Sequence, residues 1–212
     1  MGHWLILAAL FLYVLRPCQR PQWAWPVLIL LAALVHAYLM AMVLGLWLAD
    51  LAKRGWIEKS MNIKTLSMEG AVTCMALSFI LWQAGYFSIP FEGLTAKSGF
   101  GVRSMNLLSP INPLDSSLFL PPLPLAAPQQ GYNYVGAGVI LLLALAGYKG
   151  VRDHPSWPAV RPYLPLFAVC VLFFLFALSN VVTLGKHTLF TVPLPEAMQK
   201  VGAMFRVSRR MF

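Results

Sequence analysis

Long apolar runs separated by short basic clusters set the pattern of this chain. Trp23 to Ala49 carries no Lys, Arg, Asp or Glu and a single His. Gly70 to Ile89 and Pro162 to Gly185 are equally free of charge, and Gly131 to Tyr148 is shorter but dense in Val, Ile and Leu. A helix needs about 20 apolar residues to cross the hydrocarbon core of a bilayer. The pattern therefore predicts spans at about 23–49, 70–89, 131–148 and 162–185. Met1 to Leu15 is a fifth and shorter run, stopping at Arg16. It lacks the basic leader and small-residue exit of a secretory signal. It reads as a short span over about 1–15, or as the later part of a helix that begins upstream. The expected fold class is an all-α integral membrane bundle of about five transmembrane helices, one membrane domain over residues 1–212.

Composition narrows the class further. The 212 residues are 59% hydrophobic and 11% charged, with mean hydropathy +0.70. Soluble domains carry about 25% charged residues, so a soluble enzyme is excluded. Disordered chains have the opposite composition. The net charge of +9 sits in clusters between apolar runs, as in loops bordering a membrane, and calls for no nucleic acid. The expected partner is the lipid bilayer. Loops 50–69 and 149–161 hold Lys53, Arg54, Lys59, Lys64, Lys149, Arg152 and Arg161, whereas the first short loop holds Arg16 and Arg20. The excess of basic residues on cytoplasmic loops then puts the N-terminus inside and residues 88–132 outside. Within 50–69, Trp56, Ile57, Met61 and Ile63 beside those lysines read as an interface anchor without chemistry. Cys18, Cys74 and Cys170 are scattered and show neither zinc nor disulfide spacing.

The 88–132 loop is expected to be extracytoplasmic, Pro/Gly-rich and structured. Seven prolines from Pro90 to Pro128 block regular helices, yet Phe91, Leu94, Phe100, Leu107, Leu108, Ile111 and Phe119 punctuate it. A polar linker lacks such anchors, and long ordered loops are often binding elements. Its densest stretch runs from Ser104 to Pro113. There Asn106 and Asn112 are able either to hold sugar hydroxyls or to turn the backbone before proline.

Other residues invite a functional and a structural reading side by side. His36, mid-run in 23–49, is an intramembrane ionisable group and so a functional candidate; the plainer reading has it donating to a carbonyl of a neighbouring helix. Gly136, Gly138 and Gly147 suit close helix approach better than phosphate binding. The tail 194–212 spaces Met198, Val201, Met204, Phe205 and Ser208 at helical intervals, with Lys200, Arg206, Arg209 and Arg210 opposite. It is expected to be a basic amphipathic helix at the membrane surface.

Gly101 to Pro113, the Gly131-Tyr132-Asn133-Tyr134-Val135-Gly136-Ala137-Gly138-Val139 stretch, Val35-His36-Ala37-Tyr38 and Phe205-Arg206-Val207-Ser208-Arg209 occur in the order found in an uncharacterised family of bacterial multi-pass proteins. The chain resembles that family, which is related to the GT-C membrane glycosyltransferases. The resemblance implies an internal part of a longer inner-membrane protein that takes a sugar from a polyprenyl-phosphate donor on the extracytoplasmic face. It also implies a base or metal-binding acid on a loop upstream of Met1, and a divalent metal only by that route; no cofactor is evident in the residues themselves. Two positions depart from the family pattern: Ala37 stands where the family tends to have Pro, and Arg209 where it tends to have Gly. By this resemblance Arg206 and Arg209 become candidates for the donor phosphate, since guanidinium forks match phosphate oxygens. The acids Glu92, Asp115 and Glu196 fall on the expected outer side, and Asp115 and Glu92 are the weak candidates for catalysis. The alternative is a non-catalytic membrane subunit or lipid-binding scaffold that pairs with another protein or with the missing parts of a longer chain. A transporter half is less favoured, because no paired charges line the expected spans.

Overall fold

The computed structural model describes residues 2–15, 21, 23–85, 105–114, 117, 120–123, 134–178, 180–193 and 195. It divides into two units, residues 1–90 with 157–173 and residues 91–156 with 174–212.

The first unit opens with three short helices: α1 (Trp4–Val14), α2 (Ala24–Val35) and α3 (Ala37–Ala52). At 1.5 Å per residue they are about 16, 18 and 24 Å long, each less than the roughly 30 Å hydrocarbon core. The single span expected over 23–49 is thus two helices, broken at His36. That residue is extended (φ −169°, ψ 135°), so the helical hydrogen-bond ladder cannot pass through it. Its Nδ1 accepts the Tyr38 N–H at 3.1 Å and caps α3. An imidazole does here what Ser, Asp or Asn does at most helix starts. The start of α1 lies against Val35 and Leu39, and its end against Lys53, so α1 and α3 run the same way. Leu5 and Ala9, Trp25, Leu28, Ile29 and Ala32, and Leu39, Val43, Leu46 and Trp47 build the core from one face of each helix.

After α3 the helix widens into a π turn, Lys53–Ile57, and the chain leaves it through Glu58 and Lys59, the latter left-handed at φ 49°. Asn62 starts α4 (Ile63–Gln83) by accepting the Lys64 N–H at 3.3 Å. The helix expected over 70–89 therefore begins seven residues earlier. Near the chain's other end, α6 (Trp157–Val160), a 3-10 turn (Arg161–Tyr163) and α7 (Leu164–Leu178) follow one another as one helical run, Trp157–Leu178. The α7 side chains Val169 and Phe173 approach α3 at Gly45; a Cβ there would stand 2.5 Å from the Phe173 ring and 3.2 Å from Val169. Only glycine allows that approach without a shift.

Among the described residues, Ile63–Gln83 and Trp157–Leu178 are the two helices long and apolar enough to cross a membrane. Both are almost wholly unburied within the protein. Phe79 and Met75 on α4, and Phe167 and Leu172 on α7, point outward, a placement that lipid accommodates and water penalises. Two such helices stand among the described residues where five spans were expected: the run over 1–15 is the short α1, and 23–49 is divided at His36.

The second unit contains α5 (Ala137–Asp153), which starts after Gly136 in a backbone conformation (φ 98°) open to glycine. It begins six residues later than the expected span 131–148 and runs past Lys149 to Asp153. The span expected over 162–185 ends at Leu178, and the chain turns to a hairpin of β1 (Val181–Leu184) and β2 (His187–Thr191). The all-α expectation is corrected here. Val181, Val182 and Thr183 are β-branched and favour extended backbone, and Gly185 supplies the positive φ (58°) that a two-residue hairpin turn needs. Pairing is antiparallel, Leu184 with His187 and Val182 with Phe190, and a bulge leaves Leu189 as the extra residue on β2.

Candidate functional site

Two clusters of buried polar side chains stand out, one in each unit. In the first, Asp50, Lys53 and Arg54 project from the last turn of α3 and the π turn, at positions that share a helical face. Arg54 is 4% exposed and Asp50 1%. The guanidinium grips Glu69 of α4 with two parallel bonds, Nη2 to Oε1 at 2.7 Å and Nη1 to Oε2 at 2.8 Å. Its Nε meets Asp50 Oδ2 at 2.8 Å, and Nη1 also lies 2.9 Å from Met61 Sδ. Trp47 Nε1 donates to Glu69 Oε1 at 3.1 Å. Burial works against the charge on Arg54, but Glu69 and Asp50 outweigh it and hold the guanidinium above its ordinary pKa. Lys53 donates to the Tyr13 carbonyl at 2.9 Å, lies 4.7 Å over the Tyr13 ring and is 3.6 Å from Glu58. Tyr13 in turn donates its hydroxyl to the Pro162 carbonyl at 2.6 Å. The cluster ties α1, α3, α4 and the start of the last helical run together.

The second cluster is uncharged. Asn106 is fully buried; its Oδ1 accepts the N–H groups of Leu108 (3.0 Å) and Gly185 (3.1 Å), and its Nδ2 donates to the Gly185 carbonyl at 2.8 Å. Asn112, 2% exposed, repeats the arrangement: Oδ1 accepts from Leu114 (3.1 Å) and Leu123 (2.9 Å), and Nδ2 donates to the Leu123 carbonyl at 3.2 Å. Each amide closes a local turn two residues on and pairs both backbone groups of one distant residue, as a neighbouring strand would. Backbone bonds extend the clamp. Met105 donates to the Ala177 carbonyl at 3.0 Å, Leu107 to Thr183 at 3.0 Å and Val135 to Pro110 at 3.0 Å. Thr183, 5% exposed, keeps a hydroxyl without a hydrogen-bond partner among the described residues.

These placements revise several expectations. Asn106 and Asn112, candidates for sugar hydroxyls, are buried and hold backbone instead, because both oxygen lone pairs and one amide N–H of each are engaged. His36 accepts from its own helix rather than donating to a neighbouring one. Lys53 and Arg54 are buried in ion pairs and not splayed at an interface, whereas Lys59 and Lys64 are exposed. Glu92, Asp115, Glu196, Arg206 and Arg209 lie outside the described residues, as does nearly all of the 194–212 tail. Sequence reasoning missed Asp50 and Glu69. The i,i+4 spacing of Asp50 and Arg54 was the available signal; Glu69, fifteen residues beyond Arg54 on another helix, had none. Paired charges are therefore present, at the end of α3.

Among the described residues no group of three or more His, Cys, Asp or Glu side chains is placed to hold a metal ion. The divalent metal implied by the resemblance has no ligand set there. Residues 1–212 match the model of a family described as a domain of unknown function, DUF6311. The chain belongs to the DUF6311 family. No curated protein and no solved structure matches it. In this DUF6311 chain both buried clusters link separate segments of the backbone through side chains. In the first unit Asp50, Glu58 and Glu69 each face a cation or an indole N–H, and Asp153 ends α5 in the second.

Proposed function

We propose that this chain is a segment of a GT-C-like membrane glycosyltransferase of the bacterial inner membrane, one that contributes scaffold and donor-side surfaces for transfer of a sugar from a lipid-phosphate donor. The catalytic acid comes from outside the described residues: Asp115, Glu92, or an upstream loop of a longer protein. Arg206 and Arg209 are assigned to the donor phosphate, for which their guanidinium forks are suited. The observation that carries the reading is the non-helical backbone of residues 105–114 and 120–123, held by Asn106 and Asn112 beside the end of an apolar helix. Irregular backbone at a membrane is tolerated where protein covers it or a wet cavity adjoins it, which is what a lipid-linked sugar site requires. The resemblance in motif order supports the same reading.

A second reading, a non-catalytic lipid-binding scaffold, is favoured by the closure of the Asp50–Arg54–Glu69 cluster, which leaves those acids no reacting partner. The two separate in one experiment. The full chain is reconstituted in vesicles and titrated with a radiolabelled polyprenyl-phosphate sugar and, separately, with polyprenyl phosphate alone. Saturable binding that prefers the sugar-bearing lipid and falls in Arg206→Ala/Arg209→Ala is the expected result. Equal binding of both lipids favours the scaffold, and no saturable binding overturns the donor assignment.

A further inference from the structure

The hairpin that follows α7 is more apolar on its outer strand than a water-facing ribbon needs to be. Leu189, Phe190 and Val192 are 51%, 55% and 43% exposed, and Leu184 at the end of β1 is 40% exposed. On β1, by contrast, Val182 and Thr183 are buried. The sheet therefore turns one strand inward and presents the other. Its position is not free. Leu178 closes α7 and Val181 opens β1, a separation of three residues that reaches at most about 10 Å. Met105 fastens the last turn of α7 through the Ala177 carbonyl, and Asn106 grips both backbone groups of Gly185 at the hairpin turn. The ribbon is thus held close to the end of a helix whose outward apolar side chains, Leu172 and Leu175, stand 62% and 55% exposed. From Asn180 to Pro195 the sequence holds no Asp or Glu, while Lys186 sits in the turn and His187 opens β2.

We propose that β2 lies in the headgroup–acyl boundary of the bilayer as a lipid anchor at the end of α7, with Leu189 and Phe190 against acyl chains and Lys186 toward phosphate. Leu175 near the end of α7 and Leu189 and Phe190 on the ribbon are alike apolar and exposed, and a single apolar phase suits both. The basic turn with no acid beside it complements anionic headgroups. A five-residue strand about 16 Å long fits flat in that layer. The proposal rests on α7 crossing the bilayer and is independent of sugar transfer.

Full chain carrying Cys18→Ser, Cys74→Ser and Cys170→Ser receives a single cysteine by Phe190→Cys or, separately, Leu189→Cys. Both are exposed positions that substitution leaves foldable. Each is labelled with an environment-sensitive fluorophore and reconstituted in phosphatidylglycerol–phosphatidylethanolamine vesicles. The expected result is protection from aqueous iodide, with stronger quenching by a nitroxide near the headgroup than by one at mid-chain, at a depth of about 5–10 Å. A label at Leu172→Cys reports α7 itself. If it is quenched by mid-chain nitroxide while the hairpin labels are open to iodide, the anchor is overturned and the membrane span stands. If the hairpin labels are shielded from both quenchers, a protein covers the strand and the anchor is again overturned. If the Leu172 label is open to iodide, span and anchor fall together.

Discussion

Arg54 and Asn106 are both almost completely enclosed, at 4% and 0% exposure, yet they are satisfied by different chemistry. Arg54 is surrounded by two carboxylates from two helices, and its neighbours are other side chains. Asn106 is neutral and bonds only to backbone, at Leu108 and Gly185. The difference follows from what each cluster joins. Helices in the first unit satisfy most of their own main chain, so side chains do the linking. They reach a carbonyl left open at a helix end, as Lys53 does at Tyr13, or one another in an ion pair. The described residues between Met105 and Leu123 are not helical, so their main-chain groups and those of the hairpin turn need partners. An amide, which presents the same donor and acceptor as a peptide, supplies them.

The comparison can be broken most severely at Arg54. Arg54→Met leaves Asp50 and Glu69 enclosed without their cation and should cost about 3–5 kcal/mol, read as a lowered unfolding midpoint in detergent. Replacing Asp50, Arg54 and Glu69 together with apolar residues of similar size should recover most of that loss. Full persistence of the defect in the triple variant would show that the network does more than neutralise itself. Asn106→Ala comes next, at about 2–4 kcal/mol, because Gly185 and Leu108 lose partners in a buried place. Faster cleavage by protease between Thr183 and Thr188, with the first unit unaffected, would confine the effect to the hairpin. A Gly45→Ala change inserts a methyl group against Phe173 and should cost about 1–3 kcal/mol by overpacking. The smallest effect belongs to His36→Ala, which removes the cap of α3 and should cost about 1 kcal/mol; His36→Asn should restore it.

A pH series sharpens the same contrast. The raised pKa of Arg54 means that its stabilising contribution is complete below its ordinary value and is lost only as pH rises through the folded value, in the strongly alkaline range. Unfolding of the native protein should show no alkaline step from this residue up to that range. Arg54→Lys, with a lower intrinsic pKa and no bidentate fork, should bring such a loss within reach.

Much of the membrane character was legible along the chain. The runs at 70–89 and 162–185 overlap the two helices that, among the described residues, are long and apolar enough to cross a bilayer, since about twenty uncharged residues carry that information without reference to any neighbour. The stretch around Asn106 and Asn112 was singled out from its apolar residues between prolines, which imply packing. Its asparagines could not be assigned from sequence. Sugar-binding and turn-forming amides look alike until Gly185 and Leu123, 79 and 11 residues away, are brought to them. His36 was conspicuous as the one ionisable group in its run, but not as a break. An apolar run reads as one helix whether or not a residue inside it turns extended.

Local composition by itself thus determined which segments avoid water and where basic residues gather. Those are properties of single side chains and their near neighbours. Tertiary structure alone decided that the run over 23–49 is two helices, that Arg54 closes on Glu69, and that Asn106 fastens the hairpin. Each of these depends on which distant groups share a dry space, and there an unpaired charge or amide costs more than local propensity can offset.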